Sequence, residues 1–190
     1  MLLWSDSGTN STNIFKGGKA IVDLWNKTIH GFTDFSYAIG YFSEMIISII
    51  VVSILYNDMY NHFFYFLGFF VSIYLNIWLK NIIKNPRPKP FYKFLAYEPT
   101  QVNMQAYGMP SGHSQHVFYS IIYLYLTIHT LFPWVFVCIC IGALTIMERW
   151  VFRNHTMFQL IVGALIGCLL GYLTVIVRKG TYGSFKTSLS

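Results

Sequence analysis

Charge is what this chain has least of. Only 11% of its 190 residues are charged, against about a quarter in ordinary soluble domains. Several runs of about 20 residues carry almost none, which excludes an ordinary soluble domain. Cysteine is nearly absent. Cys138, Cys140 and Cys168 all fall inside apolar runs at spacings that match no zinc motif, so they read as small apolar side chains. A cleavable leader is missing as well, because Met1-Leu2-Leu3-Trp4 gives way at once to polar residues. What fills the chain is apolar: 55% hydrophobic and 19% aromatic residues. In a soluble protein the net charge of +6 would point to nucleic acid or a membrane surface. Here the basic residues lie between apolar runs, so the expected partners are the lipid bilayer and a phosphate-bearing ligand, with no nucleic acid.

These features predict an all-α polytopic membrane helical bundle with about five transmembrane helices plus an N-terminal amphipathic helix. Residues 1–19, rich in Ser, Thr, Asn and Gly, are expected to be flexible; residues 20–178 form a single membrane domain; residues 179–190 form a polar tail. Within the domain, residues 20–33 show a roughly helical mixture of apolar and polar positions that suits the membrane interface. The expected spans are 35–56, 62–79, 114–132, 134–147 and 157–177, the fourth reaching past Glu148 because 14 residues are too few to cross. Glu44 is the one charge inside the first span and must face the bundle interior. Asn76, near the end of the second, can hydrogen-bond across helices. Gly163, Gly167 and Gly171 recur every four residues and give the last span a flat face for close packing. With five spans, the N-terminal region and the 80–113 and 148–156 connections share one side of the membrane.

Those connections hold the polar chemistry. Tyr107-Gly108-Met109-Pro110-Ser111-Gly112-His113-Ser114-Gln115 lies at a polar-to-apolar junction. Pro and Ser favour a helix start there, and Gly allows close approach. A helix beginning so points unpaired N–H groups and its positive dipole end outward, which makes an anion site beside a histidine. On the same side lie Lys80 and Arg87, seven residues apart, and Arg149 and His155, six apart.

Lys80 through Arg87-Pro88, Pro110-Ser111-Gly112-His113 and Arg149 through His155 together resemble the three signature segments, in order, of the type-2 phosphatidic acid phosphatase superfamily. That superfamily also includes bacterial acid phosphatases, glucose-6-phosphatase and vanadium haloperoxidases. The resemblance implies that His155 is the nucleophile, forming a phosphohistidine. It implies that His113 protonates the leaving oxygen and then activates water. Histidine suits both roles because it titrates near neutrality. A phosphoryl group in transfer spreads charge over three oxygens. Lys80, Arg87 and Arg149 would meet that charge, and the N–H groups of Ser111 and Gly112 would complete the cradle. Side chains supply the charge, so no metal and no other cofactor is expected.

The pattern departs from the family at two positions. Glu148 stands where Ser is usual, and an ion pair with Arg149 or Arg153 would accommodate it. Gln159 stands where an Asp usually orients the nucleophilic imidazole; its carbonyl oxygen can accept the ring N–H but brings no charge. A Gln there is similar to two branches of the superfamily, glucose-6-phosphatase and dolichyl diphosphatase, and Met109 and Ser114-Gln115 flanking the second segment favour the second. The resemblance therefore implies a membrane isoprenoid diphosphate as substrate, with phosphatidic acid or a related lipid phosphate as the alternative. A non-catalytic membrane pseudo-phosphatase is the reading from a different class. Ten of the thirteen Lys and Arg fall on the site's side, which the positive-inside rule makes cytoplasmic. Sequons at Asn10 and Asn26 and the diphosphatase resemblance point instead to an endoplasmic-reticulum membrane with a lumen-facing site.

Overall fold

A computed structural model describes residues 33–89, 107–128 and 132–188. The expectations for the flexible N-terminus, the amphipathic helix before Thr33 and both N-terminal sequons lie outside the described residues. Thr33–Ser36 belong to a separate unit from Tyr37–Ser190, and the helical bundle described below is the latter.

The described residues form helices, with no strand beyond one isolated bridge between Pro86 and Tyr107. Helix α1 is Thr33–Tyr41 and α2 is Ser43–Ile54, bent by 67° across Phe42. The single expected span at 35–56 is therefore a broken one. The break follows Gly40, where a Cβ would lie 2.5 Å from the Leu144 carbonyl oxygen, so the chain there is drawn against the helix that carries Leu144. Helix α3 is Met59–Ile83, opened by Asp58, whose carboxylate accepts from Asn61 N at 3.0 Å. It closes on Lys84 in the left-handed region, φ 47°, just before Pro86. Helix α4 is Gly112–Thr127, capped by the Ser111 hydroxyl. Helix α5 is Phe132–Val151, with Pro133 in its first turn, and α6 is Met157–Ser188.

Among the described residues three helices are long and apolar enough to cross a membrane, namely α3, Pro133–Val151 of α5 and Met157–Tyr182 of α6; the bent pair α1–α2 makes a fourth if it counts as one span. The expected third span is α4, which with 16 residues, about 24 Å, is shorter than α3, α5 and α6. Helix α4 is the axis of the bundle and packs against α2, α3, α5 and α6. Ser114, Gln115, Tyr119, Ser120 and Tyr123 are buried along it. Its polar side chains are satisfied by the surrounding helices: Gln115 Nε2 donates to Ser72 Oγ and Ser72 O at 2.9 Å, and Tyr65 and Ser120 hydroxyls meet at 2.9 Å. Lipid-facing apolar residues sit instead on the outer helices, Phe63, Phe70 and Trp78 on α3 and Leu165 and Leu169 on α6 among them.

The expected glycine face of α6 is present and meets α4. A Cβ at Gly163 would lie 2.5 Å from Ser111 O, one at Gly171 2.8 Å from Tyr119 O, and one at Gly167 would collide with Gln115 O. Backbone-to-backbone approach of this kind is what small residues permit in a bilayer, where apolar burial alone does not drive helices together. It fixes the start of α4, and so His113, relative to the start of α6.

Candidate active site

The expected cluster forms at one end of the bundle from three segments distant in sequence. The first is the turn after α3. Gly108 N donates to Asn85 O at 2.8 Å, and the Pro86–Tyr107 bridge holds this turn beside the entry to α4. Arg87 leaves the turn half-buried. Its Nη1 donates to Asn154 O at 3.1 Å and lies 3.1 Å from His155 Nε2. Burial first, then neighbouring Arg149, brings the Arg87 guanidinium down to about 10, so it stays charged at neutral pH. Lys80 sits half-buried in the last turn of α3.

The second segment enters α4. Asn76 Nδ2 donates to Gln115 Oε1 at 2.8 Å and to Pro110 O at 3.3 Å, which makes the expected interhelical bond and ties α3 to the helix start. Ser111 is fully buried, and its hydroxyl accepts from Ser114 N at 3.5 Å. Its own N–H donates to Gln159 O at 3.2 Å. The expected two-amide cradle is therefore corrected: the Ser111 amide is spent on holding α4 to α6, and Gly112 is the member left in that role. His113 lies in the first turn of α4, with Nε2 2.8 Å from Arg149 Nη2.

The third segment joins α5 to α6. Arg149 is buried, lies over the Tyr41 ring at 5.0 Å from its centroid, and has its Nε 2.9 Å from Glu148 Oε2. The ion pair expected for Glu148 is thus made with Arg149. The chain then turns through Arg153 at φ 53° and delivers His155, 2% exposed. His155 Nδ1 is 2.8 Å from Gly108 O. A carbonyl only accepts, so Nδ1 carries the proton and the Nε2 lone pair faces Arg87. Burial, then the positive charges of Arg87, Lys80 and Arg149, hold this imidazole well below its ordinary value near 6.5. It is neutral at physiological pH.

Gln159 does something other than expected. Its Oε1 accepts from Thr156 N at 3.1 Å, while Thr156 Oγ1 accepts from Gln159 N at 3.2 Å. This is a reciprocal capping box at the start of α6. Its Nε2 donates to Pro86 O at 2.9 Å and to Asn85 Oδ1. Both ends of the amide are occupied, so it does not orient the imidazole. Gly108 O takes that task, and Gln159 ties all three segments together. The sequence held the signal in Thr156-Met157-Phe158-Gln159, a T-x-x-Q box before an apolar run. Gly108 itself is pressed against the Gln159 amide, where a Cβ would not fit. No sequence signal pointed to its carbonyl.

Beside His155 lies a cleft of about 480 Å³ lined by Pro88, Trp150, Val151, Arg153, Thr156 and Met157. Trp150, Val151 and Met157 are substantially exposed. The arrangement can bind an oxyanion between guanidiniums, present a neutral imidazole Nε2 to it from one side and a second imidazole from another, and admit an apolar group alongside.

The family model described as PAP2 superfamily matches residues 61–181. Among solved structures the fold is similar to "Crystal structure of the first transmembrane PAP2 type phosphatidylglycerolphosphate phosphatase from Bacillus subtilis". That chain is 20% identical, with a TM-score of 0.59, over 91% of this chain and 89% of the other. No curated protein sequence matches the chain.

Proposed function

The chain belongs to the PAP2 superfamily, and from that premise we propose that it is an integral membrane phosphatase releasing the terminal phosphate of a polyprenyl diphosphate. The observation that carries the phosphatase reading is the pair of guanidinium–imidazole contacts, Arg87 on His155 and Arg149 on His113. Each arginine holds the lone pair of one imidazole nitrogen. A phosphoryl group offers both arginines a charged, bidentate partner that a neutral imidazole cannot match. Its arrival draws them off and uncaps both rings.

The terminal phosphate then sits between Lys80, Arg87, Arg149 and the Gly112 amide, with His155 Nε2 in line. The Nε2 lone pair forms the P–N bond as the P–O bond to the leaving group breaks, its electron pair going to that oxygen. His113, which takes up a proton on Nε2 from solvent once Arg149 has left that nitrogen, passes it to the leaving oxygen. Water enters, gives its proton back to His113, and its oxygen attacks phosphorus; the P–N bond breaks and its pair returns to His155. Charge neutralisation falls to side chains throughout, so a chelator should leave the rate unchanged.

The cleft beside His155 supports the diphosphate. Its apolar wall suits an isoprenoid chain entering from the bilayer, and Arg153, on its rim, suits the second phosphate of the leaving group. The fold shared with a phosphatidylglycerolphosphate phosphatase favours a glycerolipid phosphate as the second reading. We place the site on the lumenal face of an endoplasmic-reticulum-type membrane, on the sequons at Asn10 and Asn26.

The test is phosphate release by purified protein in detergent with EDTA, comparing farnesyl diphosphate, phosphatidic acid and glucose 6-phosphate. The diphosphate is expected to be fastest and His155→Ala inactive. Release from none of them, or equal release by His155→Ala, overturns the enzyme; preference for phosphatidic acid overturns the substrate.

A further inference from the structure

We propose that Glu44 is the positioning residue of His113, acting on its imidazole from the face opposite Arg149. The inference rests on the phosphatase reading above and adds to it a residue outside the three signature segments.

Glu44 lies in the first turn of α2 and is the sole carboxylate of the bent α1–α2 pair's second half. Its side chain is 31% exposed, at the site end of the bundle, and a carboxylate on an otherwise apolar helix calls for a partner. Its Oε1 is 3.2 Å from His116 Nδ1, a hydrogen bond, and 3.5 Å from His113 Nδ1, an ion-pair contact. His116 Nε2 is buried and makes no hydrogen bond, and the ring packs on Phe69 with centroids 5.1 Å apart. With Nε2 unpartnered, the one hydrogen bond of this ring is the one from Nδ1 to Glu44, and it anchors the carboxylate.

The charge of Glu44 acts also on His113. The charged and titratable groups around His113 are Glu44 from α2, His116 on its own helix, Arg149 from α5 and Arg87 from the turn after α3. Two of these are fixed cations, and they oppose a second proton on the ring. Glu44 is the one anion among them. Arg149 Nη2 donates to Nε2, so the ring proton is on Nδ1, facing Glu44. The carboxylate thereby fixes which nitrogen faces the phosphate and offsets the cations when that nitrogen takes a proton from water. Removing it should slow the water step above all.

The test uses the full chain in detergent, with Glu44→Gln and Glu44→Asp, on whichever of the three substrates the wild type hydrolyses fastest, labelled with ³²P in the phosphate released. Proton-transfer groups contribute about 10²–10⁴-fold. A positioning partner should account for part of that, so Glu44→Gln is expected to lower kcat by about 10–100-fold. KM should stay within about 3-fold, and an acid-labile, base-stable phosphohistidine should accumulate. Glu44→Asp keeps the charge one methylene further back and should recover part of the rate; if Glu44→Gln does not fold, this variant carries the test through the same accumulation. Wild-type kcat in Glu44→Gln, or a loss with no phosphohistidine accumulating, makes Glu44 a helix tether and overturns the proposal. A wild-type protein inactive on every substrate overturns the phosphatase reading first and this inference with it.

Discussion

Gln159→Glu separates two jobs that one side chain performs. The substitution is isosteric and keeps an oxygen where Oε1 accepts from Thr156 N. A carboxylate at the third position of α6 also gains about 0.3–1 kcal/mol from the helix dipole. The capping box therefore survives. The second oxygen replaces Nε2, which donates to Pro86 O and Asn85 Oδ1. Asn85 can turn its amide and donate instead; Pro86 O cannot. Two hydrogen bonds at about 0.5–1.5 kcal/mol each are lost or reversed. Asn85 and Pro86 are themselves exposed, so water recovers part of the cost. The net is a destabilisation of about 1–2 kcal/mol, or about 3–6 °C in midpoint for a chain of this size.

Activity should fall further than stability. The turn released from Gln159 is the one that carries Arg87 to His155, and a displacement of about 1 Å can cost about 10²-fold. Thermal unfolding in detergent and kcat/KM on the preferred substrate measure the two effects. Both should be relieved as pH falls, because a protonated carboxyl can donate to Pro86 O. If Gln159→Glu raises activity at neutral pH and leaves the midpoint unchanged, the side chain must reach the imidazole, and the assignment of that task to Gly108 O is wrong.

Other expectations follow from the same geometry. ¹⁵N-histidine spectra should show His155 as the neutral Nδ1–H tautomer through pH 6, because burial and three cations depress it; a ring protonating near 6.5 refutes this. The folded state binds fewer protons at His155 than the unfolded chain, so this residue's contribution to stability holds above about pH 6.5. It is lost as pH falls from there toward the depressed folded value. Arg149→Lys cannot contact His113, Glu148 and Tyr41 together, and kcat should fall by about 10²–10³-fold; a change under about 3-fold refutes the role. Gly163→Ala pushes a Cβ to 2.5 Å from Ser111 O and should cut kcat/KM by about 10-fold or more. Gly180→Ala, with nothing within 4 Å, should match the wild type.

The bundle and the cluster were legible because they rest on pattern. Apolar runs set the outer helices, and residue type, order and spacing brought Arg87, His113, Arg149 and His155 together. What was not legible has physical causes. That α4 is the buried axis could not be read, because serine and tyrosine interrupt hydropathy only mildly; in the bundle its hydroxyls bond to the helices around it. The break at Phe42 depends on Gly40 meeting Leu144 O, a contact about a hundred residues away in sequence. Gln159 was read by analogy with a charged residue at the same position, when the capping box three residues back had already committed its oxygen.

The pairing of Glu148 with Arg149 follows from where the charge must go. Arg149 is 5% exposed and Glu148 wholly buried. A lone guanidinium at that depth would cost several kcal/mol, and removing one partner of such a pair costs about 3–5 kcal/mol. A neutral residue at 148 would leave the phosphate to neutralise Arg149 alone. With Glu148 beside Nε, the guanidinium is paired on one edge and turns Nη2 toward His113. Anion affinity is lowered because a carboxylate already holds part of the charge, and direction is gained. A hydrolase has to release inorganic phosphate each turn, so weaker holding with fixed orientation suits turnover. The departure at 148 is thus compatible with catalysis on its geometry and gives no support to a binding-only protein.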